Sequence, residues 1–259
     1  MVGRVYLVGA GPGDPELLTL KAHRLIQSCD AIVYDRLVSE DVLKLAPFDA
    51  ECFDVGKRPH DHPVPQDDIN ELLVSLALRG LSVVRLKGGD PLMFGRGGEE
   101  ALTLQAGGIP FEIVPGITAA QGVAAAAMVP LTHRGVASSV RYLTGHCRAD
   151  AELDFDWDGL ADSDTTLVVY MGLANIIEIC RELIDHGRSS DTPVLVVSRA
   201  TRPEERRFSA TLGTIPCAVK ATGFESPVLF IIGEVAALSK YQEIPTDALQ
   251  INHFAAAAE

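Results

Sequence analysis

The sequence predicts two successive α/β domains, with a mainly parallel sheet in the first and a mixed sheet in the second. Three observations lead there. In residues 1–115, five short strand-like runs (4–8, 31–34, 51–55, 82–86 and 111–114) alternate with helical patterns, the mark of βαβ units. Turns bearing Gly or Pro stand at the carboxyl ends of several runs, which is where open α/β sheets bind ligands. Pro115 and Gly116 then punctuate the chain, and four further strand-like runs follow with one clear helix among them. The predicted division is 1–115, 116–240 and a tail over 241–259.

With 259 residues, 47% of them apolar, the chain is long enough to bury a proper core and is too apolar for disorder. Its longest apolar stretches, 2–10 and 122–129, are too short and too rich in Gly or Ala to span a bilayer, so no membrane is expected. No charged leader with a cleavage site precedes the first strand. The five cysteines, Cys29, Cys52, Cys147, Cys180 and Cys217, are scattered and form no CxxC pair, which points to reduced thiols in a cytoplasmic protein and to no zinc site. A formal charge of −13 disfavours nucleic acid as a partner. Yet many of the 22 basic residues fall in turn-marked loops: Arg36, Lys57, Arg58, Lys87, Arg96, Arg134, Arg148 and Arg202. A basic cleft in an acidic protein suits a small polyanionic substrate, whereas solvated loop charges account for any one of these cations but not for all.

The first strand runs into GAGPGD at 9–14. Asp14 is placed to cap a helix, with Pro15 at its first position and Leu17, Leu18, Leu20 and Leu25 as its apolar residues. This loop departs from the dinucleotide pattern G-x-G-x-x-G, because Asp14 replaces the third glycine and Pro12 removes an amide. A pyrophosphate would meet a poor cradle and a carboxylate; a nucleoside-like ligand without phosphates fits better. Strand 31–34 ends at Asp35 and Arg36. Asp35 lies roughly 20 residues past the glycines, so a ribose hydroxyl, a turn or helix cap, and an acid/base role fit it equally.

A short helix over 39–45 leads to strand 51–55 and then to GKRPHDHPVP at 56–65, which sets Lys57 and Arg58 at another carboxyl end. His60, Asp61 and His62 invite a metal, but no further ligand stands nearby and a His pair in a proline loop is usually solvated, so no metal is expected. A helix over 67–79 carries Ile69, Leu72, Leu73 and Leu76 on one face and stops at Gly80.

The first domain is organised around SVVRLKGGDPLMFGRGGEE, 82–100. Gly88 and Gly89 break its strand, Asp90 and Pro91 make the turn, and a helix resumes over 99–105 before Gly107 and Gly108. Paired glycines let a ligand lie against the backbone, and a plain turn requires none of Asp90, Arg96 or Glu99. Beyond the boundary, 117–128 reads as a helix of small residues and PLTHRG at 130–135 as another cationic loop. Strands follow at 140–144, 166–170, 193–198 and 227–232, with a hairpin arm at 206–212 and a helix over 174–186.

Together these blocks resemble the tetrapyrrole methylases, S-adenosylmethionine-dependent enzymes of two α/β domains with the cofactor in the cleft between them. The likeness covers residues 5–235 through VGAGPGDPELLTLKA, VYDRLVS, VGKR, RLKGGDPLMFGRGGEE, VPGITAAQGVAAA, PLTHRG, TGH, VVYMG, ATRPEERR and ESPVLFIIGEV. VYDRLVS, VGKR and FGRGGEE discriminate most, and they look like the branch that methylates uroporphyrinogen III. The resemblance implies that Pro12, Gly88, Gly89, Asp90, Met93, Thr118, Ala119, Met171 and Ala200 bind S-adenosylmethionine, released as S-adenosylhomocysteine. A phosphate-free cofactor loses nothing to Pro12, and Met93 and Met171 can pack against adenine or the thioether, although core filling is the plainer role for either.

The implied substrate is a reduced tetrapyrrole bearing eight carboxylates. Arg96 and Arg134 are its implied partners, since a guanidinium pairs bidentately with carboxylate, and Glu99 and His146 are implied polar supports. Glu99 pairing Arg96 or capping a helix, and His146 as a turn residue, stand as alternatives. The implied reaction is in-line methyl transfer to ring carbons 2 and 7, giving precorrin-2. Its implied catalytic set is Asp35 as proton acceptor, Lys57 as donor or electrostatic guide, and Arg96, which is no base because a guanidinium keeps its proton. A homodimer is expected from the family. Rival readings are a sibling enzyme acting on a later corrin intermediate or on diphthamide, a ribosomal RNA methylase of the same fold, an NAD-dependent oxidoreductase, and a nucleotide-sensing module without turnover.

Overall fold

Five parallel strands make the first sheet: β1 (Arg4–Gly9), β2 (Ala31–Tyr34), β3 (Glu51–Asp54), β4 (Ser82–Lys87) and β5 (Phe111–Val114), in the order β3-β2-β4-β1-β5. The computed structural model describes residues 1–56, 64–146 and 153–239. Strands β1 and β4 are inner strands covered on both faces, so Val5, Leu7, Val8, Val83, Val84 and Leu86 are all fully buried. The helices α1 (Leu20–Ile26) and α2 (Glu40–Leu43) cover one face through Ala22, Ile26 and Val42. The other face is covered by α3 (Gln66–Leu78) and α4 (Gly97–Ala106), through Leu73, Leu76 and Leu104. From β1 the chain passes across β4 to β2, and from β4 it passes across β1 to β5, so the two connections run in opposite senses. A crevice opens over strand ends at such a reversal.

Three local expectations change. The helix predicted from Asp14 divides, because two residues compete to cap it. Asp14 caps only a 3-10 turn, Pro15–Leu17, accepting from Glu16 N at 2.9 Å, and Leu18 is extended; α1 then begins behind Thr19, whose Oγ1 accepts from Ala22 N at 3.1 Å. Helix α4 starts at Gly97 rather than Glu99, since Arg96 at φ 59° turns the chain onto the helix axis earlier. The small-residue helix is α5 (Ala119–Ala127), shorter than the 117–128 pattern.

Of the described residues, those within Met1–Gly122 and Ala200–Pro203 form one unit, and those within Val123–Arg199 and from Glu204 to Ser239 form the other. The second has its own sheet: β6 (Ser139–Thr144), β7 (Thr165–Tyr170), β8 (Pro193–Ser198), β9 (Arg206–Thr211) and β10 (Val228–Ile232), in the order β6-β7-β10-β8-β9. β6 and β7 are parallel and the remaining pairs antiparallel, which is the mixed sheet expected, with β9 as the hairpin arm of β8. Its core joins Leu167, Val169, Val196 and Phe230 to Ile179 and Leu183 of α7 (Ile176–Asp185). Among the described residues two α-helices escaped the sequence reading, α6 (Trp157–Leu160) and α8 (Ile215–Thr222); both are short, and α8 carries a proline in its first turn.

Candidate functional site

The carboxyl ends of β1, β4 and β5 meet through glycines. Gly11 N donates to Gly89 O at 3.1 Å and Gly89 N to Gly11 O at 2.7 Å, an antiparallel bridge beyond the ends of two parallel strands. Both glycines hold positive φ, 68° and 70°. A Cβ on Gly9 would lie 2.6 Å from both Gly116 Cα and Gly89 O, and one on Gly116 would fall closer still to that carbonyl. Three backbones therefore touch where no side chain fits. Asp90 locks the turn, its Oδ2 accepting from Gly116 N at 3.0 Å and its Oδ1 from Leu92 N at 2.8 Å.

The first loop uses its amides internally. Ala10 N donates to Lys87 O at 2.8 Å, Gly11 N to Gly89 O, and Asp14 N to Thr201 Oγ1 at 3.2 Å, while Pro12 has no amide. An anion nest needs successive unengaged amides, so this loop is a poor phosphate cradle and fits a phosphate-free nucleoside-like ligand. Thr118 and the Ala119 amide lie 3.7 Å from where a Cβ on Gly89 would stand, and Pro12 packs against Gly122. The predicted cofactor residues Pro12, Gly88, Gly89, Asp90, Thr118 and Ala119 thus converge on one cluster of strand ends. Half-buried Met93 follows the turn, its N donating to Asp90 O at 3.4 Å, and buried Ala200 precedes Thr201 in the same unit.

Beneath the turn lies a buried set of charges that sequence reasoning did not assemble. Arg85 and Lys87 of β4 are each 3% exposed. The Oε1 of fully buried Glu100 on α4 accepts from Arg85 Nε at 3.1 Å, Lys87 Nζ at 2.8 Å and Gln66 Nε2 at 3.3 Å; its Oε2 has no hydrogen-bond partner among the described residues. Arg85 Nη2 stands 3.6 Å from Asp35 Oδ2, and Asp35 Oδ1 accepts from Leu37 N at 3.0 Å. Burial, reinforced by the Arg85 charge, lowers the Lys87 pKa from the ordinary lysine value, while Glu100 and Asp35 oppose the shift. A signal was available: two cations spaced by two in an apolar strand share a face.

The remaining predicted residues are placed as follows. Arg96 and Glu99 form a bidentate pair, Nε to Oε1 at 2.9 Å and Nη2 to Oε2 at 2.7 Å, with side chains 54% and 52% exposed. Arg134, His146 and Met171 belong to the second unit. Arg134 is exposed in its loop, its carbonyl oxygen 2.9 Å from His133 Nδ1. The ends of β6 and β7 meet where a Cβ on Gly145 would lie 2.5 Å from Gly172 Cα, and exposed His146 and Met171 flank that contact. Met171 also has a left-handed backbone, φ 53°. Lys57, Arg58, His60, Asp61, His62 and Arg148 lie outside the described residues. Among the described residues no group of three or more His, Cys, Asp or Glu is arranged to hold a metal, and no helix is long and apolar enough to cross a membrane.

Fold and site together define a protein of two α/β units whose parallel sheet presents a glycine-lined turn cluster, poor in free amides, to a small ligand. The family model for tetrapyrrole (corrin/porphyrin) methylases matches residues 4–216. Over 246 residues the chain is 55% identical to the uroporphyrinogen-III C-methyltransferase of Paracoccus denitrificans, covering 95% of this chain and 86% of that protein. The uroporphyrin-III C-methyltransferase of Thermus thermophilus, solved in complex with S-adenosylhomocysteine, is 45% identical with a TM-score of 0.76, covering 91% of this chain and all of the other. A cobalt precorrin-4 methyltransferase of cobalamin biosynthesis is 29% identical with a TM-score of 0.80, covering 90% of this chain and 95% of that one. The chain belongs to the tetrapyrrole methylases.

Proposed function

We propose that this chain transfers two methyl groups from S-adenosylmethionine to ring carbons 2 and 7 of uroporphyrinogen III, giving precorrin-2 for sirohaem- or cobalamin-type tetrapyrroles. The observation that carries the cofactor choice is the first loop, where Pro12 and the Gly11–Gly89 bridge leave no pyrophosphate cradle of the kind an NAD enzyme needs. The substrate choice is supported by identity, not shape, because the precorrin-4 enzyme matches the fold at least as closely as the Thermus enzyme does.

In this reading Pro12, Gly88, Gly89, Asp90, Met93, Thr118, Ala119, Met171 and Ala200 hold the cofactor, with Asp90 acting by fixing the turn. The cofactor supplies a methyl group on a sulfonium. Arg96, steadied by Glu99, and Arg134 with His146 receive the substrate's carboxylates through charge-assisted hydrogen bonds. Orienting the two reactants can supply roughly 7–11 kcal/mol of the barrier to such a transfer. Each methylated ring is left cationic and sheds a proton, which Asp35 takes; Lys57 guides the same step. The reading carries with it a homodimer in the cytoplasm.

The test has two parts. Calorimetry with S-adenosylhomocysteine should give a binding heat that NAD does not. Freshly made uroporphyrinogen III incubated with the protein and S-adenosylmethionine should gain two methyl groups by mass. An unchanged mass sinks the proposal.

A further inference from the structure

We propose that Arg85 is a positioning residue for Asp35, itself held for that task by Glu100; this rests on the reading of Asp35 as proton acceptor. Three sides of the guanidinium are anchored. Nε donates to Glu100 Oε1 at 3.1 Å, and Nη1 to Val33 O at 3.4 Å and Leu86 O at 3.2 Å. Nη2 faces Asp35 Oδ2 at 3.6 Å. Arg85 pairs in register with Val33 across β2 and β4, so the carboxylate two residues beyond Val33 comes within reach of its fork.

The two side chains differ in exposure: 3% for Arg85 and 25% for Asp35. One carboxylate oxygen therefore faces a buried cation held by three hydrogen bonds of its own, and the other accepts from Leu37 N at 3.0 Å, which fixes the carboxyl plane just past the carboxyl end of β2. Arginine does not lose its proton, so it cannot replace Asp35 as an acceptor; it can only set how the carboxylate points. A buried cation on an inner strand is costly unless paired, and a strand with no further task would carry Val or Leu there. Glu100 supplies the pairing. Because Lys87 Nζ donates to the same oxygen at 2.8 Å, removing Arg85 leaves Lys87 and Glu100 balanced one against one.

The experiment is a double-mutant cycle on methyl transfer with Arg85→Met, Asp35→Asn and the double variant, alongside Arg85→Lys. S-adenosylhomocysteine affinity is measured for each. Arg85→Met is expected to lower kcat by about 10- to 100-fold while cofactor-product affinity stays within about two-fold, with Arg85→Lys intermediate. In the Asp35→Asn background Arg85→Met should cost less than about two-fold more, because its effect passes through the missing carboxylate. Losses that multiply, a wild-type kcat in Arg85→Met, or a kcat loss matched by lost affinity would each overturn the inference. If Arg85→Met does not fold, the same cycle run with Arg85→Lys decides. Wild-type protein that yields no methylated product overturns the functional reading and this inference with it, whereas intact wild-type activity with multiplicative losses overturns this inference alone.

Discussion

Gly11 and Gly89 exchange two backbone hydrogen bonds, at 3.1 and 2.7 Å, in antiparallel sense just past the ends of two strands that run parallel. The chain reverses locally at both places, and only residues tolerant of positive φ can do so this closely. The bridge joins the loop after β1 to the turn after β4, so a change in either is felt by both.

Two glycine substitutions should therefore differ in cost. Gly89→Ala meets nothing nearer than 3.7 Å, so its penalty is the left-handed backbone alone, about 1–2 kcal/mol. Gly116→Ala drives a methyl into Gly89 O and must move backbone, with an expected loss of about 3 kcal/mol. Urea unfolding of both variants checks the order; equal losses would show that the three strand ends are looser than they stand here.

Asp35→Asn keeps the shape of the side chain and its bond to Leu37 N but removes the proton acceptor. A kcat reduced by about 100-fold or more, at unchanged S-adenosylhomocysteine affinity, is expected. Wild-type turnover would take Asp35 out of the chemistry.

Arg96 and Glu99 are both about half exposed, so their bidentate pair contributes no more than about 1 kcal/mol to stability. Arg96→Lys should leave the unfolding midpoint nearly unchanged. It should raise the KM for the tetrapyrrole about tenfold, since lysine cannot present two parallel donors to a carboxylate. Steady-state kinetics beside a melt separates the two effects.

Burial pushes the Cys180 thiol up to about 12. The unfolded chain gives up this proton from about pH 8.5, before the native state does. Its stabilising contribution is thus whole below that pH and is lost as pH rises through the native value. Lys87 acts with the opposite sign: its native pKa lies below the unfolded one, so raising the pH toward the ordinary lysine value favours the folded state. Cys180→Ala should flatten the alkaline fall in unfolding free energy, and Lys87→Met should steepen it. Urea midpoints measured from neutral to alkaline pH will show whether both slopes move as stated.

The strands of both sheets are legible because short strand-like runs between turn-forming residues act over a few positions, and the glycine-lined turn is legible for the same reason. The split at Asp14 and Thr19 was not, since either residue is a competent cap and packing of Ala22 and Ile26 selects where α1 begins. The charges were seen singly. By its place just before Gly88 and Gly89, Lys87 looks like a loop cation, yet it is buried, and nothing in the motif that ends at Glu100 marks that carboxylate as its buried partner.

Local chemistry, then, was readable in advance: a proline with no amide, glycines at positive φ and apolar alternation each act through their own covalent neighbourhood. Packing alone brought Thr201 to the Asp14 amide across 187 positions, and Glu100 under Arg85 and Lys87. A hydrogen bond or ion pair depends on which elements become neighbours and how deeply water is excluded there, and neither quantity is a property of a short stretch of chain.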